Sequence, residues 1–348
     1  MMQNNLRKNC FNNVASYRTY HPGRALKMNA FLSTRSAMLC GAVLALLLFG
    51  CDVKDPSKNS PTSGKLIVYV DESYDQLIRS LADSFTTNHA PDMAIEIRKV
   101  QAREAVQQLI NLHLADTSST DSSAAVAIII GRDLLEDEKS VVADRGLERK
   151  LMRIPLAWDG LAVVVADNSP LEETTVEELK EALVEKNRSL SSLQEGKGNT
   201  SLPLVFPSPN SSSYGYVREH LLGGGEPASP VRWVGTTDSV LDLVATGEGI
   251  SLMAWYPAHL DSTRVRTLRI GYTDSAGFIQ PPVRVHPTSL VMNKYPMKLH
   301  IIGYSFAGTR SPANGFLAWL SGSDVAQQGM AKIGLEPENV RFTLVQGE

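Results

Sequence analysis

The sequence predicts an α/β protein built on mostly parallel sheet with flanking helices. Two patterns point there. Short apolar, β-branched runs at 65–70, 94–100 and 124–130 are separated by stretches whose apolar residues recur at helical spacing. Strand, helix, strand, helix, strand is the order that βαβ crossovers require. Composition agrees: 43% hydrophobic and 20% charged residues over 348 positions suit a folded soluble chain, unlike a disordered, collagen-like or multi-span membrane one.

Each element has its own reason. The run KLIVYV at 65–70 is a buried strand ending in a polar turn, and in 74–85 Leu77, Ile78, Leu81 and Phe85 share one helical face. Residues 94–100 alternate as a strand, 103–114 return to helical period, and 124–130 form a continuous apolar strand. Downstream, 161–166 is a strand, and Thr174 or Thr175 caps a helix to about Leu183, with Glu177 and Glu178 at its positive end. Residues 187–202, rich in Ser and Gly, predict a surface excursion. A strand at 204–206 opens into PSPNSSS, followed by a helix over 214–222 that Gly223, Gly224 and Gly225 stop. A strand at 232–234, a helix at 238–246 and a strand at 250–254 come next. Strands at 289–292 and 301–306, helices at 312–320 and 324–333, and a strand at 341–345 complete the chain.

The first fifty residues stand apart. They hold Arg7, Lys8, Arg18, Arg24, Lys27 and Arg35 and no acid, leaving 28 basic against 37 acidic residues beyond them, a formal charge of −9. With no basic cluster past Arg35, nucleic acid is excluded as a partner. The apolar run 37–50 is shorter than the roughly 18 to 20 residues that cross a bilayer but suits a secretory core, so 1–50 is expected to be a removed signal peptide, with Met28 as the true start. A short buried helix or an uncleaved anchor are the alternatives. Leu48-Phe49-Gly50-Cys51, followed by Asp52 and a polar stretch, resembles a bacterial lipobox. That resemblance implies lipidation of Cys51, a flexible tether over 51–64, and a lipid-anchored protein on the periplasmic side of the cell envelope. Of Cys10, Cys40 and Cys51, only Cys51 would survive processing, which excludes an internal disulfide, a thiolate zinc site and a cysteine nucleophile.

A family resemblance runs through the rest of the chain. Ile154-Pro155-Leu156-Ala157-Trp158-Asp159-Gly160, followed by an apolar strand and the helix TVEELKEAL, is similar to the crossover segment of PstS-like phosphate-binding proteins of ABC transporters. In the same order come Asp71-Glu72-Ser73-Tyr74 as a first ligand loop, Gly131-Arg132-Asp133-Leu134-Leu135 before an acidic run as a second, and Asn210-Ser211-Ser212-Ser213-Tyr214 as the serine-rich phosphate loop. The closing helices, FLAWLSGSDVAQQGMAKIGLEP, also look like those of a solute-binding protein. The resemblance implies a two-lobed, periplasmic-binding-protein-like fold: lobe one at 65–156 plus 255–348, lobe two at 157–254, and a ligand cleft between them. It further implies a monomer that captures phosphate or a similar tetrahedral oxyanion for an ABC permease, without cofactor or metal.

Such a site must replace water around charged oxygens, and the readiest donors are hydroxyls and backbone N–H groups at helix starts. Asp71, Glu72, Ser73, Tyr74, Arg132, Asn210, Ser211, Ser212 and Ser213 are the candidate ligand residues. The same serines and asparagine read equally as helix N-caps, and Asp71 and Glu72 as solvated acids at a helix start. Matched onto the family loop, Phe206 falls where phosphate binders place an arginine and Ser208 where they place the carboxylate that holds it. An exchange is therefore expected, in which Arg132 supplies the positive charge from lobe one and Asp71 or Glu72 accepts a hydrogen bond from a protonated ligand. A surface ion pair of Arg132 with Asp133 or Glu136 is the alternative.

An enzyme finds little support. His89, His113, His220, His259, His286 and His300 show no paired metal spacing, and neither a GxSxG elbow nor a Walker loop is present. An envelope hydrolase is accordingly the weakest reading. The stronger rival is a non-transport surface lipoprotein of the same fold acting as an interaction protein, favoured by Phe206 and the acidic first loop. Trp158, Trp233, Trp255 and Tyr256 are cleft walls or core, with core the expectation for at least two.

Overall fold

The computed structural model describes residues 59–116, 124–185 and 202–339. The expected signal peptide, Cys51 and the start of the tether lie outside the described residues, as do the excursion from 187 to 201 and the strand at 341–345.

In chain order, β1 (Ser63–Asp71) runs through a single 3-10 turn (Glu72–Tyr74) into α1 (Asp75–Asn88), then β2 (Asp92–Val100) and α2 (Ala102–Asp116). β3 (Ala125–Ile130), α3 (Glu136–Asp144) and the long β4 (Met152–Ala166) follow. Next come β5 (Glu173–Thr175), α4 (Val176–Val184), β6 (Leu204–Phe206) and α5 (Ser212–Tyr216), which continues as a π-turn over Val217–Leu221. β7 (Val231–Trp233), α6 (Thr237–Ala245), β8 (Ser251–Ala254) and α7 (Trp255–Leu260) lead to the short strands β9 (Val265–Thr267), β10 (Arg269–Thr273) and β11 (Ile279–Val283). α8 (Pro287–Val291), β12 (Lys298–Ser305), α9 (Pro312–Gly322), α10 (Asp324–Lys332) and β13 (Glu336–Pro337) close the described chain.

The parallel unit is β2-β1-β3, in register from Leu66 opposite Ile95 and Ala125. Its strands end together at Asp71, Val100 and Ile130, so the loops that follow, 71–74, 101–103 and 131–135, gather on one sheet edge. That carboxyl edge is where open α/β sheets place ligands. β12 joins β3 antiparallel, and β4 joins β12. The far half of β4 pairs instead with β8 and β9, so this one strand carries the chain from one half of the molecule to the other. In that second half β6 and β7 are parallel, and a parallel bridge from Leu204 to Ile250 ties β6 to β8.

The core explains the elements. Leu77, Ile78, Leu81 and Phe85 are all buried, and Phe85 packs at 5.3 Å from Phe316 and 5.1 Å from Trp319 of α9. Each such side chain contributes roughly 1.5–3 kcal/mol on burial. Leu161 to Ala166 is buried on both faces, which accounts for its unbroken apolar run. Thr175, rather than Thr174, caps α4: it accepts from Glu178 N–H at 3.1 Å while Glu178 accepts Thr175 N–H at 2.9 Å. Trp255 and Tyr256 are buried, whereas Trp233 is 43% exposed.

Two expectations differ. The strand expected at 289–292 is the helix α8, because Pro287 sits in its first turn, the His286 ring accepts Thr288 N–H, and Ser289 Oγ accepts His286 N–H. At the end of the expected tether, Ser60 bridges Ser63, and Pro61 packs on α9, where an added Cβ on Gly315 would come within 1.9 Å of its carbonyl oxygen.

Candidate functional site

The first and third loops meet at one carboxylate. Asp71, at the end of β1 and 1% exposed, accepts Ser73 N–H at 3.0 Å on one oxygen and the Ser212 hydroxyl on the other. Ser212 Oγ in turn accepts Gly131 N–H at 3.0 Å, so the second loop enters the same cluster. A Cβ on Gly131 would strike the Tyr74 ring at 2.6 Å, which is why the chain after β3 approaches the first loop so closely.

Beneath the cluster lies Asp159 of β4, fully buried. It accepts Gly160 N–H at 2.7 Å, Tyr256 N–H at 3.2 Å and the Tyr74 hydroxyl at 3.2 Å. Burial raises its pKa to about 7, against the lowering effect of those three donors. Tyr74 stacks on Tyr256 with ring centroids 6.4 Å apart. At the other flank Glu72 reaches two elements: it accepts Gln101 Nε2–H at 2.6 Å and Thr237 N–H, the first of α6, at 2.9 Å. Burial raises the Glu72 pKa, outweighing those donors and the charge of Lys99. A cavity of about 330 Å³, lined among others by Glu72, Ser73, Lys99, Thr237 and Tyr256, opens beside this contact.

The remaining candidates have local duties. Ser211 caps α5, accepting Tyr214 N–H at 3.3 Å and donating to Ser208 O at 2.9 Å. Ser213 Oγ accepts Ala254 N–H at 3.2 Å. Asn210 contributes its carbonyl, which accepts Arg103 N–H at 3.0 Å. Of the three serines, then, only Ser212 bonds to the Asp71 and Gly131 loops.

Arg132 is buried rather than at the surface. It is 4% exposed, and its Nη1 and Nη2 donate to the two carboxylate oxygens of Glu138 at 2.7 and 2.8 Å, with Nη1 also on Asp133 O at 2.8 Å. The alternative of a surface ion pair with Asp133 or Glu136 is therefore corrected to a buried, bidentate pair with Glu138. Asp133 is held instead by Arg153 at 2.7 and 2.9 Å and by the Tyr304 hydroxyl at 2.9 Å. Arg132 Nε is buried without an acceptor. Phe206, at the position matched to an arginine, is fully buried against Tyr214 and Trp233.

Sequence reasoning overlooked Glu138, Gln101, Thr237 and the role of Asp159. Glu138 carried a signal: its spacing from Leu135 and Val142 puts it on the inward face of α3. For Gln101 and Thr237 no local pattern exists, since their partner Glu72 is remote in the chain.

The arrangement of loops at the carboxyl edge of parallel strands, with one strand crossing between halves, defines a binding-protein architecture. A family model, PBP_like_2, described as a PBP superfamily domain, matches residues 55–324, and the chain belongs to that superfamily. Among solved structures it is similar to one described as a phosphate ABC transporter substrate-binding protein with bound phosphate from Clostridium perfringens. The identity there is 16%, covering 79% of this chain and 99% of that one, with a TM-score of 0.61. It is similar also to an ABC-type phosphate transport receptor from Vibrio cholerae, at 17% identity over 79% of this chain and 100% of that one, with a TM-score of 0.54. Both likenesses establish the two-lobed α/β fold. No curated protein matches the sequence.

Proposed function

We propose that the chain is an exported, lipid-anchored solute-binding protein, not an enzyme. It captures phosphate or a similar tetrahedral oxyanion between a lobe formed by 65–156 plus 255–348 and a lobe formed by 157–254, and delivers it to an ABC permease. The observation that carries this reading is that the Asp71 carboxylate, which caps its own turn through the Ser73 N–H, also accepts the hydroxyl of Ser212, 141 residues further along the chain. Two helix mouths that converge on one oxyanion of the protein itself are spaced to converge on one oxyanion of a ligand. The bound phosphate described for the Clostridium perfringens neighbour supports the same class of ligand.

A thermal-shift panel of phosphate, sulfate, molybdate, tungstate and small sugars tests it. A ligand at about 100 times its Kd stabilises by about 2.7 kcal/mol. Stabilisation by tetrahedral oxyanions alone is expected; silence across the panel refutes the reading. Mass spectrometry of the native N-terminus tests the anchor, with a lipidated Cys51 expected. A second reading, an interaction protein of the same fold, draws on one observation: Ser212 and both Nη groups of Arg132 already donate to carboxylates of the chain itself.

A further inference from the structure

We propose that Glu72 and Glu219 are positioning residues that latch the two lobes at separate points: each reaches out of its own lobe to cap a helix of the other, so that capture waits on release of both. This rests on the two-lobed, solute-binding reading above.

Helix α6, in lobe two, begins at Thr237. Its N-cap Thr236 spends its hydroxyl on Ser239 N–H at 3.1 Å, and Thr237 N–H donates at 2.9 Å to Glu72, 165 residues away in lobe one. Helix α3, in lobe one, begins at Glu136 behind Leu135, whose side chain holds no acceptor. Glu136 N–H donates at 3.0 Å to Glu219, 83 residues away in lobe two. A carboxylate at the first N–H of a helix is favourable twice, as acceptor for an orphan donor and as negative charge at the positive end. Here each lobe supplies that charge to the other. Neither acid stands alone. Gln101 Nε2–H donates to the second oxygen of Glu72 at 2.6 Å, and Glu219, on the π-turn Val217–Leu221, acts by its charge on Arg103 and Lys139 of lobe one.

The two caps lie apart. Glu72 and Thr237 line the cavity of about 330 Å³, while Glu136 and Glu219 line another of about 500 Å³ that shares no lining residue with it. Two more backbone donors cross between the lobes: Arg103 N–H to Asn210 O and Gly131 N–H to Ser212 Oγ, both at 3.0 Å. The N–H groups of Arg103, Gly131, Glu136 and Thr237 therefore all report whether the lobes are together. Lobes joined at several such points part as one unit, so loss of either cap raises the open population seen by every reporter. Ligand enters the open form, and its association slows by the fraction of molecules that are open. The same caps close over a held ligand, so removing one speeds entry and exit alike.

The test is amide hydrogen exchange of the full chain without added ligand, comparing wild type with Glu219→Ala and Glu72→Ala. A typical cap shifts such an equilibrium about fivefold. Glu219→Ala is expected to speed exchange by about that factor at Glu136 and equally at Gly131 and Thr237, which Glu219 does not touch; Glu72→Ala is expected to do the same at Thr237, Gly131 and Glu136. Amides paired within β1, β2 and β3 are the reference and should not change. An acid with a merely local structural role would speed only the amide it caps, and that result in both variants overturns the latch. Stopped-flow phosphate binding then reads capture: Glu219→Ala should raise the association and dissociation rates together, each about fivefold, with the Kd within about twofold of wild type. A change in dissociation alone also overturns the latch. Wild type that binds no oxyanion defeats the oxyanion reading, while the exchange pattern still decides whether the lobes are latched.

Discussion

Asp159 makes a prediction that depends on the fold alone. Its carboxyl is fully buried, and its folded-state pKa of about 7 lies well above the roughly 3.9 of an unfolded aspartate. A group whose pKa rises on folding contributes stability that is complete below the unfolded pKa and is lost as pH climbs through the folded one. At about 1.36 kcal/mol per unit, a rise of about three units amounts to about 4 kcal/mol, lost between about pH 4 and about pH 8. The Asp159→Asn variant isolates the effect. Its amide oxygen can still accept Gly160 N–H, but its NH₂ faces Tyr256 N–H, a cost of about 1–3 kcal/mol that does not vary with pH. Urea denaturation of both proteins over that range should show the wild-type advantage shrinking, or reversing, by about 4 kcal/mol as pH rises. A difference that stays flat would mean that Asp159 remains ionised throughout and that the three donors around it outweigh its burial.

Gly215→Ala drives a Cβ to 2.9 Å from Arg132 Nε and 3.1 Å from its Cδ, on a side chain whose two terminal nitrogens Glu138 holds. Overpacking of about 1–3 kcal/mol is partly offset by about 1 kcal/mol of helix preference, so urea denaturation should show a loss of at most about 2 kcal/mol. Phe206→Arg buries a cation between Tyr214 and Trp233, and is expected to destabilise by about 3–5 kcal/mol in the same assay without gaining affinity. Glu72→Ala leaves Thr237 N–H without its acceptor, so hydrogen exchange at the start of α6 should accelerate, reflecting a cap worth about 0.5–2 kcal/mol.

How much of this was legible depends on how local each cause is. The βαβ alternation, the buried face of α1 and the Thr175–Glu178 cap are written in neighbouring residues, and they fold as expected. The serine-rich loop could be recognised as a helix mouth, but its sequence does not say which serine turns outward. Ser211 and Ser213 serve α5 and β8, and only Ser212 meets Asp71. The strands from β9 to β11 escaped notice because they are three to five residues long and half exposed, so they lack a strong alternation. Residues 289–292 looked like a strand by their apolar content, whereas the side-chain caps at His286 and Ser289 made a helix. Arg132 was singled out for its charge, yet its partner was one acid among several in a run, separable only by helical spacing from Leu135 and Val142.

The convergence of the two helix mouths is most directly tested by titrating phosphate calorimetrically into wild type and Ser212→Ala. One saturable site in wild type, weakened about tenfold or more when the hydroxyl is removed, is the predicted result. Equal affinity in the two proteins would mean that any bound anion sits elsewhere and that the Asp71–Ser212 contact merely joins the two halves of the fold.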